Sequence, residues 1–297
     1  MIEEIAGNES ARLEHAVTVV IPAFNEGGHV AGQVEAVRRT LEATGWAFEI
    51  IVVDDGSADD TAAEADRTGA RVLRRTRNRG YGAALRLGIS RARHDWILIT
   101  DADGTYPVEA IPELLAQADD NEMVVGARLG ASVQIPWARR PAKWFLNRLA
   151  GYLAGQRLPD INSGLRLMRK SLVERYEFLL PDGFSFTTTI TLAAACNGHA
   201  FAYVPIDYHA RLGQSKIRPR HAYDFTILIL RTIVFFNPLK VFIPLGAALA
   251  AAGIAKTIYD ITRDNLSESA VLGIVGALVV WAVGLLADQN MRVAKRR

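Results

Sequence analysis

An α/β fold, with a mostly parallel sheet covered by helices on both faces and a membrane hairpin at its C-terminus, is what this 297-residue sequence predicts. Two patterns carry the prediction. Residues 17 to 126 alternate short Val- and Ile-rich runs with segments of helical composition, and the last part of the chain holds two long apolar runs. Composition bounds the rest. Lys and Arg number 34 against 32 Asp and Glu, a net charge of +2, which excludes the basic footprint of a nucleic-acid binder. A hydrophobic content of 50% excludes intrinsic disorder. The single cysteine, Cys196, reads as a buried small hydrophobe and excludes both a disulfide framework and a multi-cysteine metal site. Mean hydropathy is +0.11, slightly apolar for a wholly soluble chain.

In chain order, residues 1–16 form a polar, acidic segment without the basic start of a cleaved signal peptide. Residues 17–220 are expected as one cytoplasmic domain. Its strands are Val17–Ile21, Glu49–Val53, Ala70–Leu73, Trp96–Thr100 and Met123–Gly126; its helices are Gly28–Ala43, Asp59–Thr68, Gly82–Ala92 and Val108–Ala118. Residues 221–238 contain the apolar run Tyr223–Asn237, broken by Arg231 and stopped by Asn237-Pro238, too short to span a bilayer. It is expected as a helix lying in the membrane interface, with a core helix as the alternative. Residues 239–297 hold the two spans, 241–261 and 270–287, each close to the ~20 residues that cross a hydrocarbon core. Lys256 and Asp260 sit near the end of the first span, where they can snorkel. Buried helices of a soluble core are the alternative. The far end carries Arg292, Lys295, Arg296 and Arg297, and Arg231 and Lys240 precede the first span, so both ends of the hairpin are expected on the cytoplasmic side of the cell (inner) membrane. Frequent Gly and Ala in the spans are compatible with self-association into a homo-oligomer.

In parallel sheets ligands bind beyond the carboxyl ends of strands. Three polar clusters fall there: Pro22-Ala23-Phe24-Asn25-Glu26, Asp54-Asp55-Gly56-Ser57 and Asp101-Ala102-Asp103-Gly104. Carboxylates crowded on one rim repel each other unless a cation joins them. Mg²⁺ or Mn²⁺, which prefer carboxylate oxygens and bind together with substrate phosphates, are the cations this pattern implies.

The ordered set VVIPAFNE (Val19–Glu26), DDGS (Asp54–Ser57) and DADG (Asp101–Gly104) resembles glycosyltransferase family 2, of the GT-A fold class. Within it the chain looks most like the polyprenyl-phosphate sugar transferases, the dolichol-phosphate mannose synthase group. Supporting segments are Gly80-Tyr81-Gly82, Val124–Arg128, Asn162–Lys170 and Arg211–Arg218. The resemblance implies a nucleotide-diphosphate sugar donor (GDP- or UDP-linked), a polyprenyl phosphate acceptor and a lipid bilayer as partners. It places Pro22, Ala23, Asn25, Glu26, Asp54, Asp55, Gly80, Gly82 and Ala102 around the nucleotide sugar, and Asp101 and Asp103 on both sugar nucleotide and metal. Arg128 joins Asp101 and Asp103 as a catalytic residue. Arg139, Arg140, Ser163, Arg166, Arg211, Ser215 and Lys216 are placed around the acceptor phosphate. Thr105 stands where some members carry a Gln metal ligand.

Physical chemistry leaves alternatives beside these roles. Each Arg suits bidentate contact with phosphate, but is equally at home on a solvated surface or against lipid headgroups. Arg139-Arg140 lie near Trp137 and Trp144, a composition suited to the membrane interface. Gly80 and Gly82 fit either a close approach to phosphate at a helix start or an ordinary turn. A phosphate nucleophile is already ionised and needs no general base, whereas a sugar hydroxyl does. The segment Gly183–Thr188 carries no carboxylate, leaving Asp182 as the one candidate base for a hydroxyl acceptor. His199, His209 and His221 show no partner spacing and read as structural or surface residues.

Overall fold

The computed structural model describes residues 15–129, 148, 150–152, 154–183, 185–208, 234–235, 237–263 and 267–294. Each expected strand of residues 17 to 126 forms: β1 (Ala16–Ala23), β2 (Ala47–Asp54), β3 (Arg71–Arg74), β4 (Trp96–Ile99) and β5 (Met123–Arg128). The four expected helices form as α1 (Val30–Glu42), α2 (Thr61–Arg67), α3 (Tyr81–Ser90) and α4 (Ile111–Ala116), the last preceded by a 3₁₀ turn at Val108–Ala110. Further on come β6 (Arg166–Arg169), α5 (Lys170–Arg175), α6 (Phe186–Cys196) and β7 (Phe201–Ile206). The seven strands form one sheet in the order β3-β2-β1-β4-β6-β5-β7. Only β6 runs against its neighbours β4 and β5; the other pairs are parallel.

Every residue of β1 and β4 is buried, as a parallel sheet covered on both faces requires. On one face α1 presents Val30, Val34, Val37 and Leu41 at helical spacing to the sheet. On the other, α3 and α6 supply Leu85, Ile89, Phe186 and Ile190 to a second layer. Helix α6 is buried from Phe186 through Ala195, four threonines included.

The order of the strands locates the crevice. From β1 the chain moves outward through β2 to β3, then returns to place β4 on the other side of β1. Helices on connections of opposite sense leave a gap at that reversal, the switch point where such sheets hold ligands. Pro22 sits on it. The Val20 carbonyl accepts from Thr100 (3.4 Å) and the Ala23 carbonyl from Asp55 (2.9 Å), so even-numbered residues of β1 face β4. Pro22 therefore faces β4 where that strand has already ended, and its missing N–H costs no ladder bond.

The C-terminal helices are α7 (Leu239–Ile261) and α8 (Glu268–Ala294), about 34 and 40 Å long at 1.5 Å per residue. They pack antiparallel through small residues. Gly253 lies against Gly273, and Gly246 lies under Trp281, whose Nε1 donates to the Ile243 carbonyl at 3.2 Å. Only 11% and 17% of their most apolar windows is buried, so the soluble-core alternative does not describe them. A helix that is apolar on every side and exposed belongs in lipid. Lys256 and Asp260 do not point apart toward water. They pair with each other, and Asp260 also accepts from the Ser267 N–H (3.0 Å) and hydroxyl just ahead of α8. Most of the expected interfacial helix, residues 221–238, and the basic tail 295–297 lie outside the described residues.

Candidate active site

The loops after β1 and β2 lock together. Asn25 adopts a left-handed backbone (φ 56°), which its short polar side chain tolerates. Its N–H donates to Ser57 Oγ and its Oδ1 accepts the Ala58 N–H, both at 2.9 Å. The Glu26 N–H donates to Thr61 Oγ1 (2.9 Å) and that of Gly27 to Asp59 Oδ2 (3.1 Å). The Thr61 hydroxyl in turn donates to Asp59 Oδ1, and this hydrogen bond is the main reason the Asp59 carboxyl titrates below the usual range. Pro22 and Ala23 are buried beneath this double loop, with Asn25 exposed above them.

The two aspartates after β2 turn inward. Asp54 is fully buried and accepts the Ser57 N–H (2.9 Å). Its Oδ2 lies 3.3 Å from Arg74 Nε, an ionic contact without hydrogen-bond geometry. Asp55 accepts from the backbone N–H groups of Arg79 (3.0 Å) and Gly80 (2.7 Å) through Oδ2, and from Arg75 Nη1 (3.3 Å) through Oδ1. Both oxygens thus shape the loop that leads into α3.

That loop corrects the phosphate reading of the glycines. Gly80 gives its N–H to Asp55, while Gly82 and Ala83 donate to the carbonyls of Gly183 (3.2 Å) and Asp182 (3.0 Å). The start of α3 is capped by protein, and these N–H groups are not aimed at an anion. Gly80 holds φ 105°, and a Cβ on Gly82 would lie 2.1 Å from the Pro181 carbonyl. Gly82→Ala is therefore expected to force backbone apart and to lower stability by about 1–3 kcal/mol, read as a drop in melting temperature. Asp182, the candidate base, is exposed and ion-paired with Arg86.

Capping fixes Tyr81, and Tyr81 fixes the acidic turn after β4. Its hydroxyl donates to Asp101 Oδ1 at 3.0 Å. Burial first, and then the Asp101 charge, push this phenol well above its ordinary value, so it stays a donor at neutral pH. The Gly164 backbone closes on Asp101 from the other side, since a Cβ there would lie 3.0 Å from Oδ1. Asp103 accepts from the Thr105 hydroxyl (2.7 Å) and N–H (3.2 Å). Thr105 therefore steadies Asp103 through a short turn. Ala102 between the aspartates is buried, and both aspartates are half-buried at the switch point.

Among the described residues no group of three or more His, Cys, Asp or Glu converges on one point. Two hard carboxylates are too few to hold Mg²⁺ or Mn²⁺ alone, and suit an ion that shares its shell with phosphate oxygens. The donor set fits a metal that arrives with a diphosphate.

The expected phosphate-binding arginines behave differently. Arg128, at the end of β5, forks onto Asp160 (Nε–Oδ2 and Nη2–Oδ1, both 2.8 Å) and also donates to Asn162 Oδ1. Arg166 is fully buried in β6 and donates to the carbonyls of Ser163 (2.7 Å) and Thr187 (3.1 Å) and to Thr191 Oγ1 (2.9 Å). The Ser163 side chain is likewise fully buried. These three residues tie the loop 160–165 to β5 and α6, and the guanidinium forks that suit phosphate are taken by Asp160 and by backbone carbonyls. Arg139, Arg140, Arg211, Ser215 and Lys216 lie outside the described residues.

Sequence reasoning missed Tyr81, Tyr106 and Asp160 as parts of this site. Tyr106 Oη accepts the Gly164 N–H at 2.6 Å, and its ring meets Tyr208 edge-on. His199 does have partners, Glu122 through Nδ1 and Tyr176 through Nε2 (2.8 Å), at the opposite rim of the sheet. Cys196 is half-buried, more open than expected.

The family model described as Glycosyl transferase family 2 matches residues 18–177, and a second, described as GtrB C-terminal hairpin, matches residues 237–290. An undecaprenyl-phosphate 4-deoxy-4-formamido-L-arabinose transferase from Enterobacter sp. (strain 638) is 29% identical over 82% of this chain and 75% of its own length. Among solved structures, glucosyl-3-phosphoglycerate synthase from Mycobacterium tuberculosis, crystallised with Mn²⁺, UDP and phosphoglyceric acid, superposes with a TM-score of 0.60 at 21% identity, covering 77% of this chain and 82% of that one. Mannosyl-3-phosphoglycerate synthase from Rubrobacter xylanophilus gives 0.59 at 23% identity, over 76% and 75%. These two likenesses establish the fold.

Proposed function

This chain belongs to glycosyl transferase family 2, and from that premise we propose that it transfers a sugar from a nucleoside-diphosphate donor to a polyprenyl monophosphate at the inner membrane. The observation that carries the acceptor half is the hairpin: two apolar, exposed helices joined to a domain whose switch point holds Asp101 and Asp103. The likeness to an undecaprenyl-phosphate sugar transferase supports the same acceptor class. The excess of Lys and Arg outside the spans supports a multi-pass anchor with the sheet domain on the cytoplasmic side.

Asp101 and Asp103 are the residues proposed to hold Mg²⁺ or Mn²⁺. A bound ion would neutralise the nucleoside diphosphate as it leaves. The chain's own residues do the positioning. Tyr81 and Thr105 fix one oxygen of each aspartate, and the interlocked loops at Asn25 and Ser57 form a rigid wall for the nucleotide. The acceptor's phosphate oxygen attacks the anomeric carbon from the face opposite the leaving diphosphate, inverting its configuration. It needs charge shielding and alignment but no proton acceptor. The engagement of Asp182 by Arg86 supports this over a hydroxyl acceptor, which needs an available base. With Arg128 and Arg166 committed inside the fold, the cations proposed for the acceptor phosphate are Arg139, Arg140, Arg211 and Lys216, with Ser215 beside them.

The decisive assay presents the full chain in lipid nanodiscs with labelled UDP- and GDP-sugars, Mn²⁺ or Mg²⁺, and a polyprenyl phosphate. Label is expected in the lipid fraction with one donor. No labelled lipid with any donor would sink the proposal. Loss of turnover in a folded Asp182→Asn variant would move the reading to a hydroxyl acceptor.

A further inference from the structure

The entry of α7 into the bilayer sets a depth for the residues around it. Ile243 and Leu245 are already exposed apolar side chains, so the hydrocarbon begins within the first two turns of α7. From Leu239 to Ile243 the helix rises only about 6 Å, comparable to one headgroup layer. Protein atoms touching Phe235, Lys240 and Val241 therefore lie at headgroup level.

The sheet domain makes several of those contacts. Val241 packs on a small cluster that includes Leu158, Ile161 and Leu192. Lys240 Nζ lies 3.0 Å from where a Cβ on Gly155 would sit. Phe235 meets Phe178 edge-on, with ring centroids 5.8 Å apart. Beside these contacts two large aromatic side chains face outward: Tyr152, three residues before Gly155, is 62% exposed, and Phe178 is 71% exposed. The mechanism uses neither. Water gives no reason for such side chains to crowd the foot of a membrane helix, whereas the interface favours aromatic rings and attracts cations such as Lys240 and the exposed Arg157.

We propose that Tyr152 and Phe178 insert into the lipid interface near the foot of α7, so that the sheet domain is docked on the bilayer by its own surface as well as tethered by the hairpin. The inference rests on the reading of α7 and α8 as membrane-spanning. Docking through these side chains restrains the domain's tilt, and with it the height of the Asp101–Asp103 rim above the acceptor's phosphate.

The test uses the full-length protein in nanodiscs with Cys196→Ser as background. A spin label is placed singly through Tyr152→Cys, Phe178→Cys, Leu278→Cys in the hairpin, or Arg67→Cys on the far surface. Labels at 152 and 178 are expected to shift toward the lipid-soluble relaxer oxygen and away from a water-soluble nickel chelate, as at 278 and opposite to 67. A lipid-facing 278 with water-facing 152 and 178 overturns the docking proposal and leaves the hairpin reading intact. A water-facing 278 overturns both.

Discussion

Asp101→Asn and Asp103→Asn are each expected to lower kcat/KM for sugar transfer by at least about 10³-fold, the scale on which a preorganised charge at a reacting centre acts. The substitutions are isosteric and keep the local bonds. An amide oxygen at 101 still accepts the Tyr81 hydroxyl, and one at 103 still accepts from Thr105. What disappears is charge. Because the substitutions change charge and hardly change shape, the melting temperature of the metal-free variants should stay close to that of the parent. The stabilisation that Mn²⁺ and a nucleoside diphosphate jointly give the parent protein should vanish. Tyr81→Phe leaves both carboxylates but frees one oxygen to rotate, and a loss of about 10- to 100-fold in Mn²⁺ affinity is expected from removing such an orienting partner. Transfer that survives at parental rate in both Asn variants would remove Asp101 and Asp103 from the mechanism.

How far this site was legible from the chain depended on where each residue's partner lies. The acidic clusters could be placed because a parallel sheet puts every loop after a strand on one rim, and short apolar runs mark where strands end. Asp101 and Asp103 follow β4 directly, so their location needed no knowledge of the rest of the fold. The roles of Arg128, Arg166 and Ser163 did need it. A guanidinium fork suits phosphate, carboxylate and carbonyl alike, and the partners Asp160 and Thr187 arrive through the antiparallel β6 and the buried α6. Strand β6 was itself obscured because Arg166 sits within its four residues and reads as a surface position, although it is fully buried. Gly80 and Gly82 read as places of close approach to phosphate or as an ordinary turn. The approaching group is the segment 181–183, a hundred residues away in the chain, which no local pattern shows. The hairpin was the easiest element, since lipid demands length and apolarity and little else.

The sharpest contrast between a structural and a catalytic arginine comes from Arg128→Met. A phosphate-binding Arg128 would give a variant with normal stability and poor turnover. In this fold Arg128 forks onto Asp160, which is fully buried and also accepts from the backbone N–H groups of Arg128 (3.0 Å) and Asn162 (3.3 Å). Leaving a buried carboxylate uncompensated costs about 3–5 kcal/mol, expected here as a fall in melting temperature of roughly 6–20 °C for a domain of this size. The sign of the pH dependence follows. Without the guanidinium the Asp160 carboxyl titrates higher than it does in the parent, so the stability the variant loses relative to the parent grows as pH rises through that range. The deficit should be largest at neutral pH and shrink toward acid. Removing both charges, as in Arg128→Met with Asp160→Leu, should restore much of the lost stability, because two apolar side chains need no counter-ion. If the single variant melts with the parent, the fork onto Asp160 does not hold the loop 160–165 to β5. Gly164 would then lose its place against Asp101, and the arginine would return to the phosphates.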